Sequence, residues 1–124
     1  MKGKFIIERQ ENGFYIFRLV KEDGTLIATS RECWDLEDCE HCIRSCRKRA
    51  AVPLEDQTIE NFLGVPIPKF ELYFKKGTYR FRQWTSVGRL ICMRDDFPTK
   101  EACLQGIQDV RNYALESEVI HSNC

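Results

Sequence analysis

No apolar run in the chain approaches the roughly 18 to 20 residues that a membrane-spanning helix needs, and the opening stretch Met-Lys-Gly-Lys-Phe-Ile-Ile-Glu lacks the apolar segment of a secretory signal. Both absences point to a cytoplasmic protein with no membrane partner. Net charge is missing too. Nineteen Lys and Arg balance nineteen Asp and Glu, so no global field draws the molecule to nucleic acid or anionic lipid, and such binding would need a local patch. There are only two histidines, and no nucleophile elbow, phosphate-binding glycine loop, dinucleotide fingerprint or pair of catalytic carboxylates is present. Neither catalysis nor a cofactor is expected. At 124 residues the chain fits one ordinary domain.

Cysteine is what the sequence has in excess: seven, at Cys33, Cys39, Cys42, Cys46, Cys92, Cys103 and Cys124. An odd number without a secretion signal argues against a disulfide framework and for reduced thiols.

The chain also matches itself. Sliding it by about 64 residues lays Lys4-Phe5 on Lys69-Phe70 with one residue of slack, and Gly13-x-Tyr15-x-Phe17-Arg18 on Gly77-x-Tyr79-x-Phe81-Arg82. Gly24-x-Leu26-Ile27 falls on Gly88-x-Leu90-Ile91. Glu37-x-Cys39-x-x-x-Ile43-x-x-x-Arg47 falls on Glu101-x-Cys103-x-x-x-Ile107-x-x-x-Arg111. Because glycines, aromatics and helix-spaced residues all keep register, a duplicated unit is the economical reading.

Each unit reads locally as three strands, a helix and a further short strand. Phe5 to Arg9 and Phe14 to Val20 flank Glu11-Asn12-Gly13, a tight-turn signal. Asp23-Gly24 then turns the chain into Leu26 to Ser30. Asp35 and Thr99 precede the helical stretches Leu36 to Arg49 and Lys100 to Tyr113, where their side chains can accept from free amides as N-caps. Short extended segments follow at Val52 to Leu54 and Glu118 to His121, with Pro53 confining the first to a sheet edge.

The run Thr99-Lys100-Glu101-Ala102-Cys103-Leu104-Gln105-Gly106-Ile107-Gln108-Asp109-Val110, with the Gly-x-Tyr-x-Phe-Arg and Gly-x-Leu-Ile patterns, resembles the tandem form of the YegP-like family. The resemblance implies an α+β fold: two β-β-β-α-β repeats joined in one continuous antiparallel sheet, both helices on one face, and the strand after each helix exchanged onto the other unit. On that reading residues 1–124 form a single domain, with repeat 1 at about 3–59, a linker at 60–68 and repeat 2 at about 68–123. Such a chain completes the two-unit sheet within itself, so a monomer is expected. The family has no assigned activity and transfers no catalytic residue. Cys42 departs from the pattern, standing where the second unit has Gly106.

Two sites could carry chemistry. Cys39, Cys42 and Cys46, with Cys33 and His41 nearby, have the two-to-four-residue spacing of zinc ligands. The second unit places Val110 opposite Cys46 and Phe97 opposite Cys33, so core packing along a helix competes with metal or redox chemistry. His41 is two positions from Cys39 and faces another way on a helix, so the two cannot form a catalytic pair. His121 reads as an incidental surface imidazole.

The second site is electrostatic. Residues 69–94 carry seven cations against the single acid Glu71, a local balance of +6, whereas residues 4–30 are neutral. Strand alternation sets Arg80, Arg82 and Trp84 on one face and the core pair Tyr79 and Phe81 on the other. The leading expectation is therefore a small non-catalytic module that binds a protein or another macromolecule through the open face or edge of its sheet. The alternative is nucleic-acid binding through Lys75, Lys76, Arg80, Arg82 and Trp84. A zinc or redox-thiol site at Cys39, Cys42 and Cys46 is the second alternative.

Overall fold

The computed structural model describes residues 1–122. Its strands are β1 (Lys4–Arg9), β2 (Tyr15–Val20), β3 (Leu26–Ser30), β4 (Leu54–Asp56), β5 (Lys69–Lys75), β6 (Thr78–Trp84), β7 (Leu90–Phe97) and β8 (Glu118–His121). Helix α1 (Leu36–Lys48) lies between β3 and β4, and α2 (Lys100–Tyr113) between β7 and β8. Both helices start as the sequence predicts: Asp35 accepts from the amide of Asp38 and Thr99 from that of Ala102. At the first hairpin Gly13 takes a φ of 87° while Asn12 acts through its side chain, accepting from the Phe14 amide at 3.0 Å. In the matching turn both Lys76 (φ 50°) and Gly77 (φ 82°) carry the positive angles.

The sheet has eight strands in the order β4-β5-β6-β7-β3-β2-β1-β8. It is mixed rather than wholly antiparallel. The six inner strands pair antiparallel, whereas β4 runs parallel to β5 and β8 parallel to β1. Tight hairpins impose antiparallel order, but residues 57–68 separate β4 from β5 and nearly the whole chain separates β1 from β8, so no turn constrains either edge. Each strand that follows a helix thus pairs with the opposite half of the chain. The first also lies later than the sequence suggests, at Leu54–Asp56 instead of Val52 to Leu54. Pro53 has no amide to give and contributes only its carbonyl, which accepts from Phe70.

Both helices cover the same face. Phe81 and Gln83 stand two apart on β6 and share a side of the sheet. Gln83 donates to the Cys46 and Arg49 carbonyls at the end of α1, at 3.2 and 2.9 Å. Phe81 packs under α2, where a Cβ on Gly106 would come within 3.2 Å of its ring and 2.5 Å of that of Phe97. One apolar cluster runs through both halves, from Phe5, Phe17 and Ile43 to Phe70, Phe81 and Ile107.

Candidate functional site

The cysteines settle first. Cys33, Cys39, Cys42, Cys46, Cys92 and Cys103 are all free and buried, while Cys124 lies outside the described residues. Cys39 and Cys42 gather around Cys33. Hydrogen bonds from them lower its pKa, and the same bonds, with burial, push theirs up. Cys46 instead pairs with Cys92 on β7, whose thiol donates to Gln83 Oε1 at 3.2 Å. Among the described residues no group of three His, Cys, Asp or Glu is arranged to hold a metal ion.

On the outward face Arg80, Arg82 and Trp84 stand in a row, as alternation requires. Arg82 lies 4.4 Å over the Tyr73 ring and donates to its hydroxyl at 2.9 Å. Trp84 donates to Glu71 at 2.7 Å, and Arg80 to the Thr78 hydroxyl at 3.0 Å. Lys75 and Lys76 sit apart from this row, exposed at the β5–β6 turn. Lys69 is neutralised by Glu55 at 2.9 Å and Glu71 at 3.6 Å.

A concave site lies elsewhere, between α1 and the β6–β7 turn. This cleft of about 430 Å³ is lined by the cations Arg31, Arg44, Lys48, Arg49 and Arg89, with His41 beside them. Arg31 and Arg89 share Asp38: Arg31 binds both carboxylate oxygens at 3.0 Å, and Arg89 approaches at 3.6 Å. The Arg31 bonds hold the Asp38 carboxyl down at about 2. Arg49 reaches across to the Ser86 hydroxyl at 3.2 Å. Arg44 and Lys48, one turn apart on α1, are exposed and make no ion pair among the described residues. Arg31 and Arg49 each keep a buried Nε–H without an acceptor, so both guanidiniums have donor capacity to spare. The Ser45, Thr85 and Ser86 hydroxyls and the side chains of Val87, Leu90 and Ile91 complete the walls.

The place 64 residues away differs. There Asp109 and Tyr113 of α2 stand where α1 has Ser45 and Arg49, and Lys21 and Glu22 stand where the other turn has Thr85 and Ser86. Lys21 pairs with Asp109 at 3.3 Å and Tyr113 donates to Glu22 at 2.9 Å, which ties helix to turn. The fold therefore does not require the basic set, because its counterpart is held by other chemistry. Reading the sequence linearly missed this cleft. The visible signal was that Arg44, Lys48 and Arg49 face Gln108, Asn112 and Tyr113 in the self-match.

Residues 11–54 match the family model of a domain of unknown function, DUF1508. Over 53 residues the chain is 36% identical to a UPF0339 protein from Methanosarcina acetivorans, a match that covers 42% of this chain and 91% of that protein. In three dimensions it is similar to the solution NMR structure of yegP, a protein of unknown function from E. coli, with a TM-score of 0.80 at 18% identity over 98% of this chain and 94% of that one. A UPF0339 protein from Shewanella oneidensis superposes with a TM-score of 0.79 at 16% identity, over 98% of this chain and 92% of the other. At such identities the likeness concerns the fold alone. With its relative from Methanosarcina matched over nearly that protein's whole length, the chain belongs to the UPF0339 family of YegP-like proteins, a family of uncharacterised function.

Proposed function

We propose that this protein is a non-catalytic binding module that takes an anionic ligand in the cleft between α1 and the Thr85–Arg89 turn. The observation that carries the reading is the contrast between the two helix–turn junctions. One is closed by Lys21–Asp109 and Tyr113–Glu22, while the other collects five cations around 430 Å³ with Asp38 as their only carboxylate partner among the described residues. Like charges crowded without counterions cost stability, and a bound anion removes that cost. The test is a titration of ¹⁵N-labelled protein with inorganic phosphate and with citrate. The amides of Thr85 to Arg89 and Ser45 are expected to shift, and the double substitution Arg44→Ala, Lys48→Ala to weaken binding at least tenfold. Unmoved amides at those positions would overturn the proposal.

A second reading keeps the outward face, where Lys75, Lys76, Arg80, Arg82 and Trp84 serve a macromolecular partner, nucleic acid or acidic protein. The Arg82–Tyr73 stack at 4.4 Å favours it, since such a ledge suits an unpaired base. Affinity for a single-stranded oligonucleotide would then fall steeply between low and physiological salt. Under either reading the chain is a duplicated unit acting as a monomer in the cytoplasm. A relative matched over 91% of its length by only 42% of this chain supports the duplication, and six free thiols support a reducing compartment.

A further inference from the structure

The composition of the cleft narrows the ligand. We infer that it binds a phosphomonoester with a small, partly apolar body, an inference that rests on the anion-binding reading above.

Two zones differ chemically. Toward the end of α1, Arg44, Lys48 and Arg49 line the cleft together with Ser45 and Ser86, and Arg49 donates to the Ser86 hydroxyl at 3.2 Å. Guanidinium, ammonium and hydroxyl donors gathered along one cleft suit a group with three terminal oxygens, each able to accept more than once. A carboxylate has two oxygens and would leave part of that donor set unused. Ser45 is buried on α1 and lines this zone beside Arg49, whose Nε–H is buried without an acceptor among the described residues. Thr85 Oγ1 already accepts from the amides of Val87 and Arg89, at 3.3 and 3.0 Å, which leaves its own proton available.

The other zone is apolar. Leu90 and Ile91 of β7, Val87 of the turn and Cys42 of α1 supply the apolar part of the lining. A volume of about 430 Å³ lies in the range of small-molecule sites, roughly 300–1,000 Å³. It far exceeds a bare phosphate, which displaces a few times the roughly 30 Å³ of a water. The remainder fits an organic body against the apolar wall. A polymer would need a continuous strip of cations instead, and here they ring a single concavity.

The experiment compares three probes by isothermal titration and amide shifts: inorganic phosphate, phenyl phosphate and benzoate. Phenyl phosphate is expected to bind at least tenfold more tightly than either of the others, with shifts at Ser45, Ser86 and Ile91. Arg49→Ala and Ser86→Ala should each weaken it, while Arg44→Ala, an exposed position, gives a control with an intact fold and at least fivefold weaker binding. Benzoate binding as tightly as phenyl phosphate would overturn the phosphomonoester and leave the anion site standing. Phenyl phosphate no better than inorganic phosphate would overturn the apolar body. Absence of shifts with all three probes, or shifts confined to the row Arg80–Trp84, would overturn both the inference and the reading beneath it.

Discussion

Arg47 and Arg111, 64 positions apart, each hold the segment that leaves the other's helix. Arg47 on α1 donates to the carbonyls of Ala114 and Ser117 beyond α2, and Arg111 on α2 donates to the carbonyl of Val52 beyond α1. Each guanidinium also lies 5.3 Å over a phenyl ring, Phe5 for Arg47 and Phe70 for Arg111. The edge strands β4 and β8 are thereby fixed from the opposite half.

Replacing either arginine with alanine removes charge-assisted hydrogen bonds and a cation–π contact. Arg47→Ala and Arg111→Ala are each expected to cost about 2 kcal/mol, read as a lowered urea midpoint with the slope unchanged. A loss below about 0.5 kcal/mol would show that the edge strands do not depend on them.

Deleting the residues after Ala114 removes β8, the partner of β1, together with Ser117, which accepts from the Gly3 amide at 2.9 Å. Since one core spans both halves, hydrogen exchange should accelerate across β1 and β2 and the whole protein should weaken in one transition. Full protection of Phe5 to Val20 in the truncated chain would mean that the halves are independent.

Gly106 and Phe97 occupy together the space that Cys42 and Cys33 fill in the first half. A methyl at Gly106 would meet the Phe97 ring at 2.5 Å, so Gly106→Ala is expected to destabilise by about 1 to 3 kcal/mol. Adding Phe97→Cys should recover part of that loss, seen as coupling in a double-mutant cycle by thermal unfolding. The same exchange explains why Cys42 is tolerated where the pattern has glycine.

Asp38 and Glu55 both titrate near 2. Arg31 holds down the first, and the Val65 amide, helped by Gln57 and Lys69, the second. Carboxyls depressed on folding from about 4 stabilise the fold fully above the unfolded value and lose that contribution as pH falls toward the folded one. Stability in urea should therefore drop between about pH 5 and pH 2. Asp38→Asn and Glu55→Gln should each flatten that fall.

The six buried thiols should resist modification. Burial also pushes Cys103 up to about 12. Under native conditions a maleimide should leave the peptides bearing Cys33, Cys39, Cys42, Cys46, Cys92 and Cys103 unlabelled by mass spectrometry, and label all six in denaturant. Rapid native labelling of Cys33 would show that the cleft admits reagents to the thiol cluster.

Local chemistry made much of the fold legible. Asp35 and Thr99 mark the helix starts, Gly13 and Gly77 the hairpins, and alternation along β6 separates Phe81 from Arg82, because capping, positive φ and strand parity each act within a few residues. The sequence by itself thus determined the helices, the hairpin strands and which side of each strand faces the core, while it set β4 two residues early and left the helix cysteines open between core packing and metal binding. Only the tertiary structure decided that β4 and β8 run parallel to their partners, since no tight turn governs those pairings. It alone assembled the cleft, whose cations come from Arg31, from one side of α1 and from Arg89. Their convergence depends on how α1 crosses the sheet to Gln83, a long-range contact that no local pattern encodes.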